Sequence, residues 1–373
     1  MGTNYLITGA TGFVGRYIMK KLLEQSIQHN VYLLIRHGRH ITAEERMLRL
    51  MQEVFSAVEM EQYRSRIKVV AGNITESQLG LSTPDYQYLS GKINVIFHSA
   101  ATIKFNLSLA EATEVNIEGT RHIISFAYDG FKNGQLTNVY HISTAYVAGR
   151  KSSLAQQDTV FANTYEKTKH GSELLLGEFK EKGVPITIFR PSIISGNTLT
   201  GEITSSTILF RFLAMLSRRS LHVLPGPTTL NIISLNNFLD FMFDIIAKPE
   251  SVGQTFNITN PKNEGFETMV EYACELLQVP VPKFIPLRDK HLLPTKTLNQ
   301  IGVFMPYFED EHNFDLTNTL QILGRNELVC DEANVNIKQV LTYCYQHKLL
   351  TKKESHLLRD PSVLPYLLAR KSR

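Results

Sequence analysis

Tyr165 and Lys169 stand four residues apart in Asn163-Thr-Tyr165-Glu-Lys-Thr-Lys169. Residues at that spacing share one face of a helix, so an ammonium can stand beside a phenol. A free tyrosine, with a pKa of about 10, is a poor acid-base catalyst at neutral pH. A neighbouring positive charge favours its ionised form and brings it into range. The pair alone arises often by chance. It gains weight from the glycine loop Thr8-Gly-Ala-Thr-Gly12-Phe-Val-Gly15 far upstream. Together the two features point to a nicotinamide cofactor and a tyrosine acting on a substrate carbonyl. Ile142-Ser143-Thr144 supplies a third part, a hydroxyl at the end of an apolar run. In that arrangement Thr144 hydrogen-bonds the substrate oxygen and Tyr165 donates the proton. Lys169 lowers the tyrosine pKa and grips the nicotinamide ribose.

Within the glycine loop, Gly9, Gly12 and Gly15 permit a tight turn and let backbone amides approach a pyrophosphate at a helix N-terminus. Thr11, Phe13 and Val14 complete that contact surface. The end of the second apolar run separates NAD from NADP: a carboxylate there binds the ribose 2′-hydroxyl, an arginine a 2′-phosphate. The chain has Ile35-Arg36-His-Gly-Arg39 and no carboxylate before Glu44. Arg36, with Arg39 beside it, can stack on adenine and hold the phosphate by a charge-assisted fork. NADPH is the expected cofactor. His98-Ser99-Ala100-Ala101 follows the fourth apolar run, and its small residues let backbone pass close to the cofactor. His98 reads as structural rather than catalytic. Asn116 either holds a water or backbone group near the active site or simply packs a helix.

Apolar runs at Tyr5–Ile7, Val31–Ile35, Ile67–Val70, Val95–Phe97, Val139–Ile142 and Ile186–Phe189 alternate with helical patterns, among them a polar helix around Glu44 to Val58. Near-continuous apolar strands between helices imply a parallel sheet covered on both faces. The expected fold class is α/β, a doubly wound Rossmann sheet with a smaller, mostly helical C-terminal subdomain. Residues 1–200 are expected to form the NADP(H)-binding domain, with 231–260 returning to it. Residues 201–230 and 261–373 would form the substrate-binding subdomain. The apolar stretches Ile208–Leu216 and Phe238–Ile246 read as buried helices; the first also suits the wall of an acyl tunnel.

Composition narrows the classes. At 373 residues and 43% hydrophobic, the chain can bury a large core. A net charge of +4, with scattered basic residues, argues against nucleic acid as the partner. Cys274, Cys330 and Cys344 give neither a disulfide framework nor a zinc site. The start of the chain has no signal-peptide layout and no apolar run long enough to span a bilayer occurs. A cytoplasmic setting is expected, as a monomer or homodimer, with peripheral membrane contact left open.

His98-Ser-Ala-Ala-Thr-Ile-Lys-Phe105, Ser143-Thr-Ala-Tyr-Val147, Asn163-Thr-Tyr-Glu-Lys-Thr-Lys169 and Phe189-Arg-Pro-Ser-Ile-Ile194 resemble the fatty acyl-CoA reductases. They are also similar to the thioester-reductase domains of carboxylic acid reductases and nonribosomal peptide synthetases, all extended short-chain dehydrogenase/reductases. The resemblance covers residues 4 to about 260. It implies Thr144, Tyr165 and Lys169 as the catalytic set, Pro191 and Ser192 beside the nicotinamide, and Arg36 at the 2′-phosphate. Where the superfamily usually has an aspartate after the third strand, this chain has Gly72-Asn73-Ile74. The Asn73 carbonyl can still accept from the adenine amino group, with Ile74 beside it. The implied activity is NADPH-dependent reduction of an acyl thioester, on coenzyme A or a phosphopantetheinyl carrier protein, to the aldehyde and, with a second hydride, the alcohol. Two alternatives stand beside it. One is another extended reductase or a nucleotide-sugar epimerase or dehydratase; the other is a non-catalytic NADP(H)-sensing regulator.

Overall fold

The computed structural model describes residues 2–105, 107–148, 161–205, 207–309 and 313–350. The expected subdomain residues 351–373 lie outside them. Two compact units emerge: Met1–Arg190 with Ile246–Phe256, and Pro191–Ile245 with Asn257 onward. The first unit therefore ends at Arg190 rather than 200, and the stretch that returns to it is 246–256 rather than 231–260. The reason is local pairing. Ile232 and Ile233 run parallel to Ile193 and Ile194, which keeps both stretches in the second unit.

The first unit is built on β1 (Asn4–Thr8), β2 (Asn30–Ile35), β3 (Ile67–Ala71), β4 (Val95–His98), β5 (Asn138–Ile142), β6 (Ile186–Pro191) and an edge strand β7 (Thr255–Ile258). The sheet order is β7-β6-β5-β4-β1-β2-β3. β1 pairs in parallel with both β2 and β4, so the order reverses there. In such sheets ligands bind at the strands' carboxyl ends beside the reversal. The register sets Thr8 opposite His98 and His98 opposite His141. Three polar side chains thus stand in a row at that end.

Side chains alternate across the sheet. Leu6, Ile96, Val139 and Ile186 join Ile123, Phe126, Leu175 and Phe179 in one buried cluster. The helical members come from α4 (Gly119–Lys132) and α5 (Thr164–Glu181). α1 (Phe13–Gln25) buries Ile18, Met19, Leu22 and Leu23. The polar stretch after β2 is two helices rather than one, α2 (Ala43–Val54) and α3 (Ala57–Arg64). Each opens with its own capping box, Thr42 with Glu45 and Ser56 with Glu59, and Phe55 between them is extended. Periodicity alone hides such a break, because both helices keep a polar face.

In the second unit the two apolar stretches are buried helices, α6 (Ile208–Ser217) and α7 (Leu235–Ile246). α6 packs its Phe212 edge-on to Phe266 of α8 (Phe266–Leu277), with ring centroids 5.2 Å apart. The cavity left between Ile208, Phe212, Leu230, Phe266 and Met269 is only ≈ 20 Å³. Among the described residues α6 is a core helix, and this cavity is far too small for an acyl chain. Among the described residues no helix is long and apolar enough to cross a membrane.

The β1–α1 turn carries a tight backbone constraint. Gly9 has φ +72°, and a Cβ there would meet the Ala100 amide nitrogen at 2.6 Å. Gly134 has a similar φ of +69° but faces open space. Gly134→Ala should cost about 1 kcal/mol from backbone strain alone. Gly9→Ala should cost on the order of 3 kcal/mol, because strain and overpacking add. Urea midpoints of the two variants check this; equal losses would show that the approach to Ala100 constrains nothing.

Candidate active site

The glycine loop forms a tight strand-to-helix turn. Gly12 N donates to Gly9 O at 2.8 Å, closing the turn. A Cβ on Gly15 would sit 2.3 Å from Gly9 O, so α1 can start this close to β1 only with glycine there. The N-cap of α1 is Gly12, with no side-chain cap and no acidic residue in the first turn. Its amides and positive dipole end therefore have no internal anion. Phe13, Val14 and Gly15 form that first turn. The loop opens on a cleft of ≈ 440 Å³ that is also lined by Thr11, Arg36, Asn73, Ile74, Ser99, Ala100 and Ala101. A second recess of ≈ 770 Å³ shares Arg36, Arg46 and Asn73 with it and adds Arg39. Sequence-expected residues from four strand ends thus meet in one place. A glycine cradle, a helix N-terminus without a side-chain cap and a cationic rim fit a nicotinamide dinucleotide.

Arg46 was not apparent from sequence. It lies in the first turn of α2, where side chains point back toward the helix N-terminus. It donates to Arg36 O at 2.5 Å and to Thr11 Oγ1 at 3.4 Å. Burial first, then the neighbouring Arg36 charge, lower its pKa. The available signal was the Thr42–Glu45 capping box, which fixes where α2 starts and so which residue faces the β2 end. Asn73 turns partly inward: its Nδ2 donates to Glu76 Oε1 at 2.9 Å, and its Oδ1 accepts from Thr75 N at 3.3 Å. Ile74 packs beneath Gly119, and its carbonyl bonds His122 Nδ1 at 2.7 Å.

His98 is structural. Its Nδ1 bonds Thr8 Oγ1 at 2.7 Å and its Nε2 bonds Thr120 Oγ1 at 3.0 Å. Burial, with the Lys169 charge nearby, lowers its pKa to about 3, so the ring is neutral. Asn116 holds a backbone group: its Oδ1 accepts from Thr102 N at 2.8 Å and its Nδ2 donates to Thr102 O at 3.2 Å. The same Nδ2 reaches Thr168 Oγ1 at 2.9 Å, so Asn116 ties the loop after β4 to α5. It sits in a wide π-type turn, Glu114–Glu118, a distortion common at functional sites.

α5 begins where Asn163 Oδ1 caps Glu166 N at 2.9 Å, which places Tyr165 in the first turn. The half-buried Tyr165 phenol is hydrogen-bonded to Thr144. Desolvation pushes its pKa up, the Thr144 bond opposes this, and Glu166 adds to the rise. The lysine does not lower the phenol in this arrangement, contrary to the sequence expectation. Lys169 Nζ instead donates to Ile142 O at 2.7 Å and lies 3.0 Å from His141 Nε2. Burial lowers its own pKa to about 8, and Glu173 opposes that. Glu173 accepts from Ser143 Oγ and takes a fork from Arg190, with Nε at 3.0 and 3.1 Å from its two oxygens. His141, Glu173 and Arg190 were not singled out from sequence, because their partners lie 17 to 30 residues away. Pro191 ends β6, and the next residue, Ser192, has a buried hydroxyl with no hydrogen-bond partner among the described residues.

Glu173 thus joins α5 to β5 and β6. Its side chain is 8% exposed and that of Arg190 29%. Glu173→Leu should cost on the order of 2 kcal/mol, less than for a fully buried pair because Arg190 keeps some solvent. Glu173→Leu with Arg190→Leu should recover part of that loss in a double-mutant cycle of denaturation midpoints. Strictly additive losses would mean that the fork carries no coupling.

Comparison with known proteins adds family and fold. A family model described as male sterility protein matches residues 7–241. Fatty acyl-CoA reductase 1 of Homo sapiens is 38% identical over 149 residues, 39% of this chain and 28% of that protein. A nonribosomal peptide synthetase of Aspergillus flavus is 24% identical over 352 residues, 85% of this chain and 34% of that protein. The chain spans about a third or less of the length of these relatives. The terminal R domain from the myxalamid PKS-NRPS biosynthetic pathway superposes with a TM-score of 0.77 at 23% identity, covering 94% of this chain and 92% of that one. That likeness is one of fold.

Proposed function

The chain belongs to the male sterility protein family, and from that footing we propose that it is an NADPH-dependent oxidoreductase of acyl thioesters. The acyl group would be carried on coenzyme A or on the phosphopantetheine of a carrier protein, and the first product would be the aldehyde. The observation that carries the reading is the Thr144–Tyr165 hydrogen bond, set one helical turn from a buried lysine. Relatives named as fatty acyl-CoA reductases and a nonribosomal peptide synthetase support the thioester as substrate.

Gly9, Gly12 and Gly15 would seat the pyrophosphate against the uncapped N-terminus of α1, with Thr11 at its side. Arg36, Arg46 and Arg39 would hold the 2′-phosphate, with Asn73 and Ile74 at the adenine. Ser99, Ala100 and Ala101 would give room for the dinucleotide backbone, and Pro191 and Ser192 would contact the nicotinamide. When bound, the nicotinamide supplies the hydride to the thioester carbon. Tyr165 would deliver its proton to the carbonyl oxygen, as its hydrogen bond to Thr144 allows. Thr144 donates a second hydrogen bond to that oxygen. The resulting hemithioacetal breaks its C–S bond, leaving the aldehyde and a free thiol. Lys169 would hold its ammonium below Tyr165, against the nicotinamide ribose and the phenolate left after transfer.

Arg36→Ala and Arg46→Ala should each weaken NADPH binding by roughly 10–100-fold, the loss of one charge-assisted contact, and leave NADH binding nearly unchanged. Fluorescence titrations with both cofactors check this; equal losses for both would remove the phosphate assignment. Purified protein should consume NADPH with acyl-CoA thioesters and release one thiol per acyl group. Tyr165→Phe should lower that rate by roughly 10²-fold or more with the fold intact. Turnover of aldehydes or nucleotide sugars, without thiol release from any thioester, would overturn the substrate assignment.

A further inference from the structure

Of the residues around Lys169, His141 is the one that no step above uses. It is fully buried at the end of the central strand β5, where alternate positions are filled by Val139 and its apolar neighbours. We propose that His141 is a positioning residue for Lys169, with its Nε2 accepting a hydrogen bond from the lysine ammonium and fixing it against the floor of the sheet. The proposal rests on the reading of Lys169 as the lysine of the catalytic set.

The hydrogen-bond inventory forces the direction. An ammonium donates and cannot accept. With Nζ 3.0 Å from Nε2, the imidazole must be neutral and carry its proton on Nδ1. Nδ1 has no partner among the described residues. A buried, unsatisfied N–H is a cost that an aliphatic side chain at this position would avoid. Such a ring is retained in a strand core when its other nitrogen has a task. His98 cannot share it. That ring lies 5.1 Å from His141, centroid to centroid, and both its nitrogens are engaged by Thr8 and Thr120.

The charged and titratable groups that face Lys169 are few. His141 comes from β5 and His98 from β4, and Tyr165 and Glu173 stand one turn away on its own helix. Glu173 is shared with Arg190 of β6 and still favours the charged lysine. Burial first, then the Lys169 charge, holds His141 well below the usual histidine range, so it stays an acceptor at neutral pH. The backbone Ile142 O and His141 Nε2 are then two fixed points for a side chain with four rotatable bonds. An ammonium pinned in this way loses little entropy when a second partner arrives. Removing the acceptor disfavours the charged form, so the lysine should then lose its proton at lower pH.

The test uses the whole chain. In ¹⁵N-histidine-labelled protein at pH 7, the resonances lost in His141→Gln identify His141. They should show the neutral Nδ1–H tautomer with Nε2 as acceptor, and Lys169→Ala should shift that Nε2. An imidazolium, an Nε2–H tautomer, or no response to Lys169→Ala would overturn the proposal. In parallel, NADPH affinity is followed against pH. Affinity should fall as pH rises through the lysine titration, and His141→Leu should move that fall down by about one pH unit. His141→Gln, which keeps an acceptor within reach, should restore the wild-type position. Leucine and glutamine variants with the wild-type profile would also overturn the proposal, even with lowered stability. Should His141→Leu not fold, the wild-type tautomer and the glutamine profile decide. The two readings fail separately: normal binding and turnover in Lys169→Ala would remove the catalytic role of the lysine, whereas the tautomer tests the His141 contact on its own.

Discussion

A lysine ammonium buried at the carboxyl end of a central strand is costly unless acceptors and an opposite charge meet it. Much of the site in the first unit follows from that requirement. Ile142 O and His141 Nε2 take Lys169 directly. Glu173, one turn along the same helix, supplies the opposite charge, and it is held in place by Ser143 and Arg190 from the two neighbouring strands. Asn116 fixes the same helix from the other side through Thr168. The helix that bears Tyr165 is therefore tied to β5, β6 and the loop after β4. Its tyrosine is placed by the lysine's partners as much as by its own bond to Thr144.

This arrangement explains why the phenol is raised rather than lowered. The ammonium is turned down toward the strand floor, and burial dominates at Tyr165. Under the proposed function the phenol would donate its proton against that burial, and the ammonium held by Ile142 O and His141 Nε2 would meet the anion that donation leaves behind. The sequence expectation assigned both jobs to one electrostatic effect. The geometry separates them in space.

What was legible in the sequence was what local chemistry dictates. The glycines at 9 and 15 announce a turn because a Cβ does not fit there, and the apolar runs announce buried parallel strands because both their faces are covered. Tyr165 and Lys169 are legible because helical spacing alone sets them on one face. Arg46, His141 and the Glu173–Arg190 fork were not, because each acquires its meaning from a partner on another element. The break between α2 and α3 was hidden by a continuous polar face. The short pairing of Ile193–Ile194 with Ile232–Ile233 left no periodic signal, which is why the returning segment was drawn too long. Asn116 was read with two roles open, and the structure shows a backbone-holding role through Thr102.

The cationic rim has a similar logic. Arg46 reaches back over the Arg36 carbonyl, and their like charges disfavour each other where burial already weakens solvation of Arg46. Among the described residues, neither has a carboxylate bonded to it, although Glu44 and Glu45 stand beside Arg46 in sequence. Glu45 is spent on the capping box that starts the helix. A chain under selection for stability alone would have placed an acid between the two guanidiniums. Keeping them unneutralised at the end of β2, beside the β1–α1 turn, is the kind of local conflict that marks a binding site. A doubly charged phosphate would relieve both the repulsion and the missing solvation at once. Under the proposed function a bare ribose hydroxyl would relieve neither, and the two arginines would favour the phosphorylated cofactor.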